Sequence, residues 1–336
     1  MRAEVATAEV DRSPAWHDAR AEVTVVVATC DRSAWVPELL GSLAQQDIPV
    51  EVVLVDDASL DAVALPDTEL PVLLLRTATR SGPSAARNAG ALRRRTPVLL
   101  LTDDDCLPDP SWARELRDAL AGRAIVQGRT EPVEVPHGPW DRSITVTGTT
   151  GLWETCNLAV DAVAFDEVGG FADLGLLGSG SRGFGEDAEL GALLARRGAA
   201  FAPDAVVRHR WVPADYRDHV RGRARLEGFP GLSRHVELPL VGGVGLSRRS
   251  LVTDLGIVGL AATAATPLAA VAAVPWAVRT WRGSPPIPFA WKTCAPSIGC
   301  TTLRNSQRGH RHSPRSRRFA SRLMKSSCEL CSRLRA

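Results

Sequence analysis

Four short apolar runs punctuate the first hundred residues: VTVVVA (23–28), VVLV (52–55), VLLL (72–75) and VLLL (98–101). Each has the length of a strand and lacks the polar alternation of a half-exposed one, so each must be buried on both faces. Between the first two, Val36, Leu39, Leu40 and Leu43 recur at the helical period. Before the fourth, Pro83 opens a helix through SAARNAGALRRR, with Ser81 or Gly82 near its cap. After it, Asp109 and Pro110 read as N-cap and first residue of a helix through Leu120. Two-sided strands separated by helices predict an α/β fold with a parallel sheet covered on each side.

Three of the four runs end in acid. The first leads into Thr29–Cys30–Asp31, the second into Asp56–Asp57 and the fourth into Asp103–Asp104–Asp105. A parallel sheet puts these ends on one edge, where open α/β sheets bind ligands near a switch in strand order. Clustered carboxylates raise one another's pKa unless a cation neutralises them. Oxygen ligands favour Mg²⁺ or Mn²⁺, with a phosphate commonly completing the shell. A polar turn explains Asp56–Asp57 taken alone, and a solvated loop explains the three aspartates taken alone. Neither explains why successive strand ends carry both.

The second half is less regular. Residues 123–155, rich in Thr, Gly, Pro and Val, predict short strands and loops. A helix is expected over 161–168, stopped at Gly169–Gly170, and another from Glu186 to Arg197, stopped at Gly198. The glycine-rich GLLGSGSRGFGED (175–187) reads as a mobile approach to the latter.

The formal charge of +2 hides an asymmetry: ten Lys or Arg stand against one Glu in residues 301–336, and 30 against 37 in the first 300. An acidic body with a basic tail argues against a nucleic-acid-binding face spread over the fold. The seven cysteines are scattered, as in a reducing, cytoplasmic setting. Cys30, Cys106 and Cys156 read as small packing residues. Cys328 and Cys331, with Cys294, Cys300, His310 and His312 upstream, fit no common zinc spacing. The N-terminal MRAEVATAEVDRSPAW has no apolar core of a secretory signal. Leu255–Val278 holds 24 residues without a charge, long enough to span a bilayer, but it is alanine-rich and contains Pro267 and Pro275. A membrane-embedded or interfacial segment, at the cytoplasmic face, and a buried helical hairpin both stay open. Residues 295–336, rich in Ser and Arg, read as a basic disordered tail, either suited to anionic lipid head groups or a dispensable extension.

The motifs VTVVVATCDR (23–32), VVLVDDAS (52–59), GPSAARNAG (82–90), LLLTDDDCLPDPSW (99–112), NLAV…F…VGGF (157–171) and GFGEDAELGALLARRG (183–198), in this order and spacing, resemble the inverting family 2 glycosyltransferases of the GT-A fold. The likeness spans about residues 22–225. It implies a GT-A nucleotide-diphospho-sugar transferase domain over 22–240, with a mainly parallel sheet flanked by helices. Within it, 22–121 would be the nucleotide-sugar-binding half and 122–240 the acceptor and catalytic half. An extension over 1–21 precedes it, and the hydrophobic segment over 250–282 follows.

The resemblance also implies roles. Thr29 and Asp31 line the nucleoside pocket, Asp57 binds the base or ribose, Arg87 lies near the nucleotide, and Asp104 joins them as a donor-binding residue. Asp103 and Asp105 match the Asp-x-Asp motif that holds a divalent metal, Mn²⁺ or Mg²⁺, on the donor's diphosphate. His209, in VVRHRW, reaches the metal or diphosphate. Asp187, with Glu186 beside it, supplies the catalytic base. The implied partners are a nucleotide sugar and an acceptor hydroxyl on a lipid-linked glycan, a natural product or a protein. Each residue has a plainer account: Arg87 as one half of a surface ion pair, His209 as an ordinary strand-end histidine, and Glu186–Asp187 as acids favouring a helix N-terminus. The Gln-x-x-Arg-Trp motif of processive members is missing from DYRDHVRGRARLEG (215–228), which predicts one or few sugars per encounter.

Three rival readings are open to test. A metal-dependent nucleotidyltransferase wants a basic phosphate-gripping loop, which ATCDRSAW does not supply. A phospho-acceptor module needs a downstream lysine, and residues 1–291 contain none. A donor-binding protein without turnover would keep the same acids.

Overall fold

The computed structural model describes residues 5–133, 138, 140–149, 151–174, 183–215, 217–218 and 228–236. The segments 250–282 and 295–336, the four cysteines beyond Cys156, and residues 175–182 of the glycine-rich approach lie outside the described residues.

The strands are β1 (Thr7–Arg12), β2 (Val23–Thr29), β3 (Val50–Asp56), β4 (Val72–Thr77), β5 (Val98–Asp103), β6 (Cys106–Pro108), β7 (Ile125–Pro132), β8 (Asn157–Asp161) and β9 (Ala199–His209). The helices are α1 (Val36–Leu43), α2 (Pro83–Ala91), α3 (Trp112–Leu120), α4 (Ala162–Val168), α5 (Glu186–Ala195) and the short α6 (Phe229–Leu232). The nine strands among the described residues join one sheet in the order β1-β4-β3-β2-β5-β8-β7-β9-β6. The block β4-β3-β2-β5 is parallel throughout. Outside it the sheet is mixed: β1, β8 and β6 run antiparallel to their neighbours, while β9 runs parallel to β7.

The parallel block is where the two-sided apolar runs fall, and its strands alternate between two cores. Val23, Val25 and Val27 face Leu39 and Leu43 of α1 and Trp112 and Leu116 of α3. Val26 faces the other way, with Ala86 of α2, Phe165 of α4 and Leu190 and Leu194 of α5. Helix α2 lies so close to the sheet that a Cβ on Gly90 would stand 2.6 Å from Val26 Cγ1.

Helix α5 stops at Ala195, two residues short of Arg197, and two further helix boundaries differ from expectation, each with a cause. Helix α2 stops at Ala91 instead of continuing through Arg95. Arg95 is needed elsewhere: its backbone N–H and Nε donate to the buried Glu51 at 3.1 and 2.8 Å, and its guanidinium lies 3.8 Å over the Trp16 ring. Asp109 does not cap α3, whose N-cap is Ser111. The Asp109 carboxylate pairs with Arg208 at 3.1 Å, and its carbonyl accepts the Trp112 N–H. By contrast, Asp161 caps α4 by accepting the Ala164 N–H at 2.8 Å, and Gly169, at φ +87°, ends it.

The strand order places the site. The chain runs outward from β2 through β3 to β4, then crosses back to lay β5 on the other flank of β2. The switch point therefore lies between β2 and β5, where Ala28 pairs with Asp103.

Candidate functional site

The carboxylates at the end of β3 are committed to the chain itself. Asp56 accepts the N–H groups of Ser59 (3.0 Å) and Val63 (3.3 Å) and pairs with Arg76. Asp57 accepts the Thr77 hydroxyl at 3.0 Å and the backbone N–H groups of Ser81 and Gly82 at 2.8 and 2.7 Å. That gathers the loop before α2 onto the end of β3. Nearby, Asp31 takes a left-handed backbone (φ +56°), accepts the Leu60 N–H at 2.8 Å and pairs with Arg80 at 2.6 Å. The Leu60 N–H is the main reason its pKa lies below the ordinary value, with Arg80 adding to it.

The end of β5 is built differently: its acids meet cationic and titratable side chains. Asp104, buried, accepts the Thr29 hydroxyl at 2.7 Å and Arg32 Nη1 at 2.9 Å. Burial nevertheless raises its pKa to about 6. Asp105 takes the same Arg32 nitrogen at 3.0 Å through Oδ2, while its Oδ1 lies 3.4 Å from His209 Nε2. Burial raises the Asp105 pKa too; Asp103 adds to this, and His209 and Arg32 oppose it. His209 Nδ1 sits 2.7 Å from the Arg210 carbonyl, which can only accept, so that nitrogen carries the ring hydrogen. Nε2 then faces Asp105 Oδ1.

The group Asp105, Cys106 and His209 offers ligand atoms within 4.8 Å of one another. Burial pushes the Cys106 thiol well above its usual pKa, so it stays protonated and fits a hard cation poorly. Of that group Asp105 and the His209 imidazole remain, oxygen and nitrogen donors that Mn²⁺ or Mg²⁺ accepts. Asp103 lies two residues before Asp105 as a further carboxylate paired with Arg87.

Arg87 links this cluster to the first turn of α5. Its Nη2 donates to Asp103 at 2.6 Å, its Nη1 lies 3.7 Å from Glu186, and it packs 5.8 Å from the centre of the Phe171 ring. Burial opposes the guanidinium charge, but Asp103 and Glu186 outweigh it and hold the pKa up. Asn88, the next residue, clasps Phe171 with two hydrogen bonds, at 2.8 Å to its carbonyl and 2.9 Å from its N–H. The approach to α5 rests on the start of α2, since a Cβ on Gly183 would stand 2.6 Å from Pro83 Cγ. Asp187, next to Glu186, accepts the Ala188 N–H at 2.8 Å. Burial and the Glu186 charge push its pKa up to about 8.

The structure thus brings Thr29, Asp104, Asp105 and His209 into one contact chain, and Asp103, Arg87 and Glu186 into another. Asp57 joins the first through its backbone N–H, which donates to the Thr29 carbonyl at 2.9 Å. Arg32 escaped sequence reasoning. The signal was a basic residue directly after the acidic end of β2, in a motif quoted for its other members.

Residues 24–172 match the sequence model described as Glycosyl transferase family 2. Over these residues the chain is similar to that family. Its α/β sheet with flanking helices is the GT-A fold that this likeness entails. The chain is 39% identical over 87 residues to an uncharacterized glycosyltransferase of Haemophilus influenzae, covering 25% of this chain and 30% of that one. It is 39% identical over 122 residues to the succinoglycan biosynthesis protein ExoO of Rhizobium meliloti, 34% of each chain. The chain therefore spans about a third of the length of these curated relatives. Among solved structures it is similar to the mannosyltransferase PcManGT of Pyrobaculum calidifontis in complex with GDP-Man and Mn²⁺, at 22% identity and a TM-score of 0.49, over 83% of this chain and 79% of that one. Among the described residues no helix is long and apolar enough to cross a membrane.

Proposed function

We propose that this family 2 glycosyltransferase domain moves a sugar from a nucleoside-diphosphate donor to an acceptor hydroxyl with inversion, and that Asp187 accepts the proton. The observation that carries this reading is the Arg87 bridge. It ties the metal-type donor set at the end of β5 to the helix turn that bears Asp187.

In the step itself, the acceptor O–H gives its proton to the Asp187 carboxylate. The oxygen attacks the anomeric carbon, and the bond to the diphosphate breaks on the opposite face, its electron pair leaving with the diphosphate. A base whose pKa is raised toward the working pH accepts a proton more effectively, and such help contributes on the order of 10²–10⁴-fold. Glu186 faces Arg87, so its part is to position the turn and hold the guanidinium charge. Asp103, Asp105 and His209 would hold a divalent cation, Mn²⁺ or Mg²⁺, whose chemistry is to offset charge on a departing diphosphate. Asp57 and Asp31 act on the nucleoside side by fixing the loops they tie down. Transfer of one or few sugars per encounter fits the missing Gln-x-x-Arg-Trp motif. A reducing, cytoplasmic setting fits Cys30, Cys106 and Cys156, which are free thiols.

The test is a screen of nucleoside-diphosphate sugars with Mn²⁺ or Mg²⁺, following release of nucleoside diphosphate, with a chelator control and Asp187→Asn alongside. Release stopped by chelator and by Asp187→Asn supports the reading. Pyrophosphate in place of nucleoside diphosphate assigns nucleotidyl transfer, and donor bound without any release assigns a binding protein. Normal turnover by Asp187→Asn removes the base assignment.

A further inference from the structure

Arg32 has no part in the proposed chemistry, yet it holds a central place in the carboxylate cluster. A single nitrogen, Nη1, donates to Asp104 Oδ1 at 2.9 Å and to Asp105 Oδ2 at 3.0 Å. The other oxygen of Asp104 is taken by the Thr29 hydroxyl, and the other oxygen of Asp105 faces His209. Both acids are 4% exposed, whereas the Arg32 side chain is 40% exposed. The acids are therefore fixed and the cation is the partner free to leave. Its guanidinium also lies 5.0 Å over the Trp35 ring, a cation–π contact that does not depend on the carboxylates. Two adjacent buried carboxylates with Asp103 beside them stay ionised only with positive charge nearby. Among the described residues, Arg32 is the arginine bonded to both of them.

We infer that Arg32 is the resident counter-cation of Asp104 and Asp105, and that a divalent ion and an anionic nucleoside diphosphate displace it together. The inference rests on the metal reading of Asp103, Asp105 and His209 given above. A cation arriving alone competes with Arg32 for Asp105 Oδ2 and binds weakly. A nucleoside diphosphate offers the guanidinium another anion, so it releases Asp105 and the cation enters. Arg32 thereby couples the two ligands, and each strengthens the other by the same factor. It is a positioning residue that makes metal occupancy conditional on donor.

The test reads metal binding and not turnover. Mn²⁺ is titrated by electron paramagnetic resonance into the full chain, alone and with UDP, GDP or TDP as probes. Wild type is expected to bind Mn²⁺ weakly alone and more tightly with a nucleoside diphosphate. Arg32→Ala is expected to bind Mn²⁺ alone about tenfold more tightly, since a competing charge some 3 Å from the ligand oxygen is gone, and to gain less from the nucleotide. Arg32→Met, which keeps an unbranched apolar stem without the charge, should follow Ala, and Arg32→Lys should behave as wild type. A general loss of structure weakens metal binding, so tighter binding is a result that misfolding does not produce. Equal or weaker Mn²⁺ binding by both Ala and Met variants overturns the role of Arg32 while the metal site stands. No Mn²⁺ binding by wild type with any of the three nucleotides removes the site itself, and this inference with it.

Discussion

The ends of β3 and β5 carry the same residue type at corresponding positions of one parallel block, and the structure uses them in opposite ways. At β3, Asp56 and Asp57 accept mostly from backbone N–H groups, which cannot leave; they shape loops. At β5, Asp103, Asp104 and Asp105 meet Arg87, Arg32 and His209, side chains that can exchange for a ligand. A carboxylate held by fixed neutral dipoles is architecture. A carboxylate held by exchangeable positive charge is, on the proposed function, one that would give up that charge for a bound cation.

Substitutions at the two ends should separate accordingly. The largest effect is expected at β5. Asp105→Asn should cut turnover by on the order of 10³-fold or more, the scale of several kcal/mol of lost charge stabilisation. Its urea midpoint should stay close to wild type. Asp57→Ala should show the reverse pattern, because Ser81 N–H, Gly82 N–H and the Thr77 hydroxyl all lose their acceptor. A loss of about 3 kcal/mol in urea unfolding is expected, since each orphaned buried donor costs about 1–3 kcal/mol and some regain water. If Asp57→Ala kept full stability and lost only donor affinity, the contrast between the two ends would be wrong.

Next in size is Asp187→Asn, with turnover down on the order of 10²–10⁴-fold and donor binding retained. With the native pKa raised to about 8, kcat/KM of the wild type should climb with pH and level off above that value. The stability consequence has a definite sign. The folded chain holds the Asp187 proton more tightly than the unfolded chain, whose carboxylate titrates near 4. Stability from this group is therefore fully present below about 4 and falls as pH rises toward about 8, then stays level. Asp187→Asn carries no such proton, so it should be the more stable protein at pH 8, with the gap closing at pH 4. Parallel thermal melts across that range check it.

How much of this could be read from residues follows from what periodicity reports. The runs at 23–28, 52–55, 72–75 and 98–101 announce burial on two faces, and they became β2 to β5. Strand β1, TAEVDR, is exposed along nearly its whole length and gives no such signal. Strand β9 spreads AAFAPDAVVRH across a register shift against β7, so its alternation is broken. The acids of the site were visible because they sit at strand ends. Their partners were not, because pairing joins residues far apart in sequence: Arg32 lies 72 and 73 positions from Asp104 and Asp105. Asp109 misled for the same reason. Its neighbours suggested a helix cap, while Arg208, 99 positions on, claimed the side chain.

The smallest expected effect probes the border between the two regimes. Thr29 belongs to β2, between the ends compared above, and its hydroxyl is the one neutral donor to Asp104 among the described residues. Thr29→Val preserves shape and removes that bond, which should cost about 1 kcal/mol in urea. The hydroxyl now holds the Asp104 pKa down against burial, so its removal should move that pKa upward from about 6. A higher native pKa extends the range over which rising pH erodes stability, so the Val variant should lose more at pH 7 than at pH 5. A loss equal at both pH values would mean that Asp104 takes its charge state from Arg32 alone. The end of β5 would then be governed entirely by exchangeable cations, with no fixed dipole contributing.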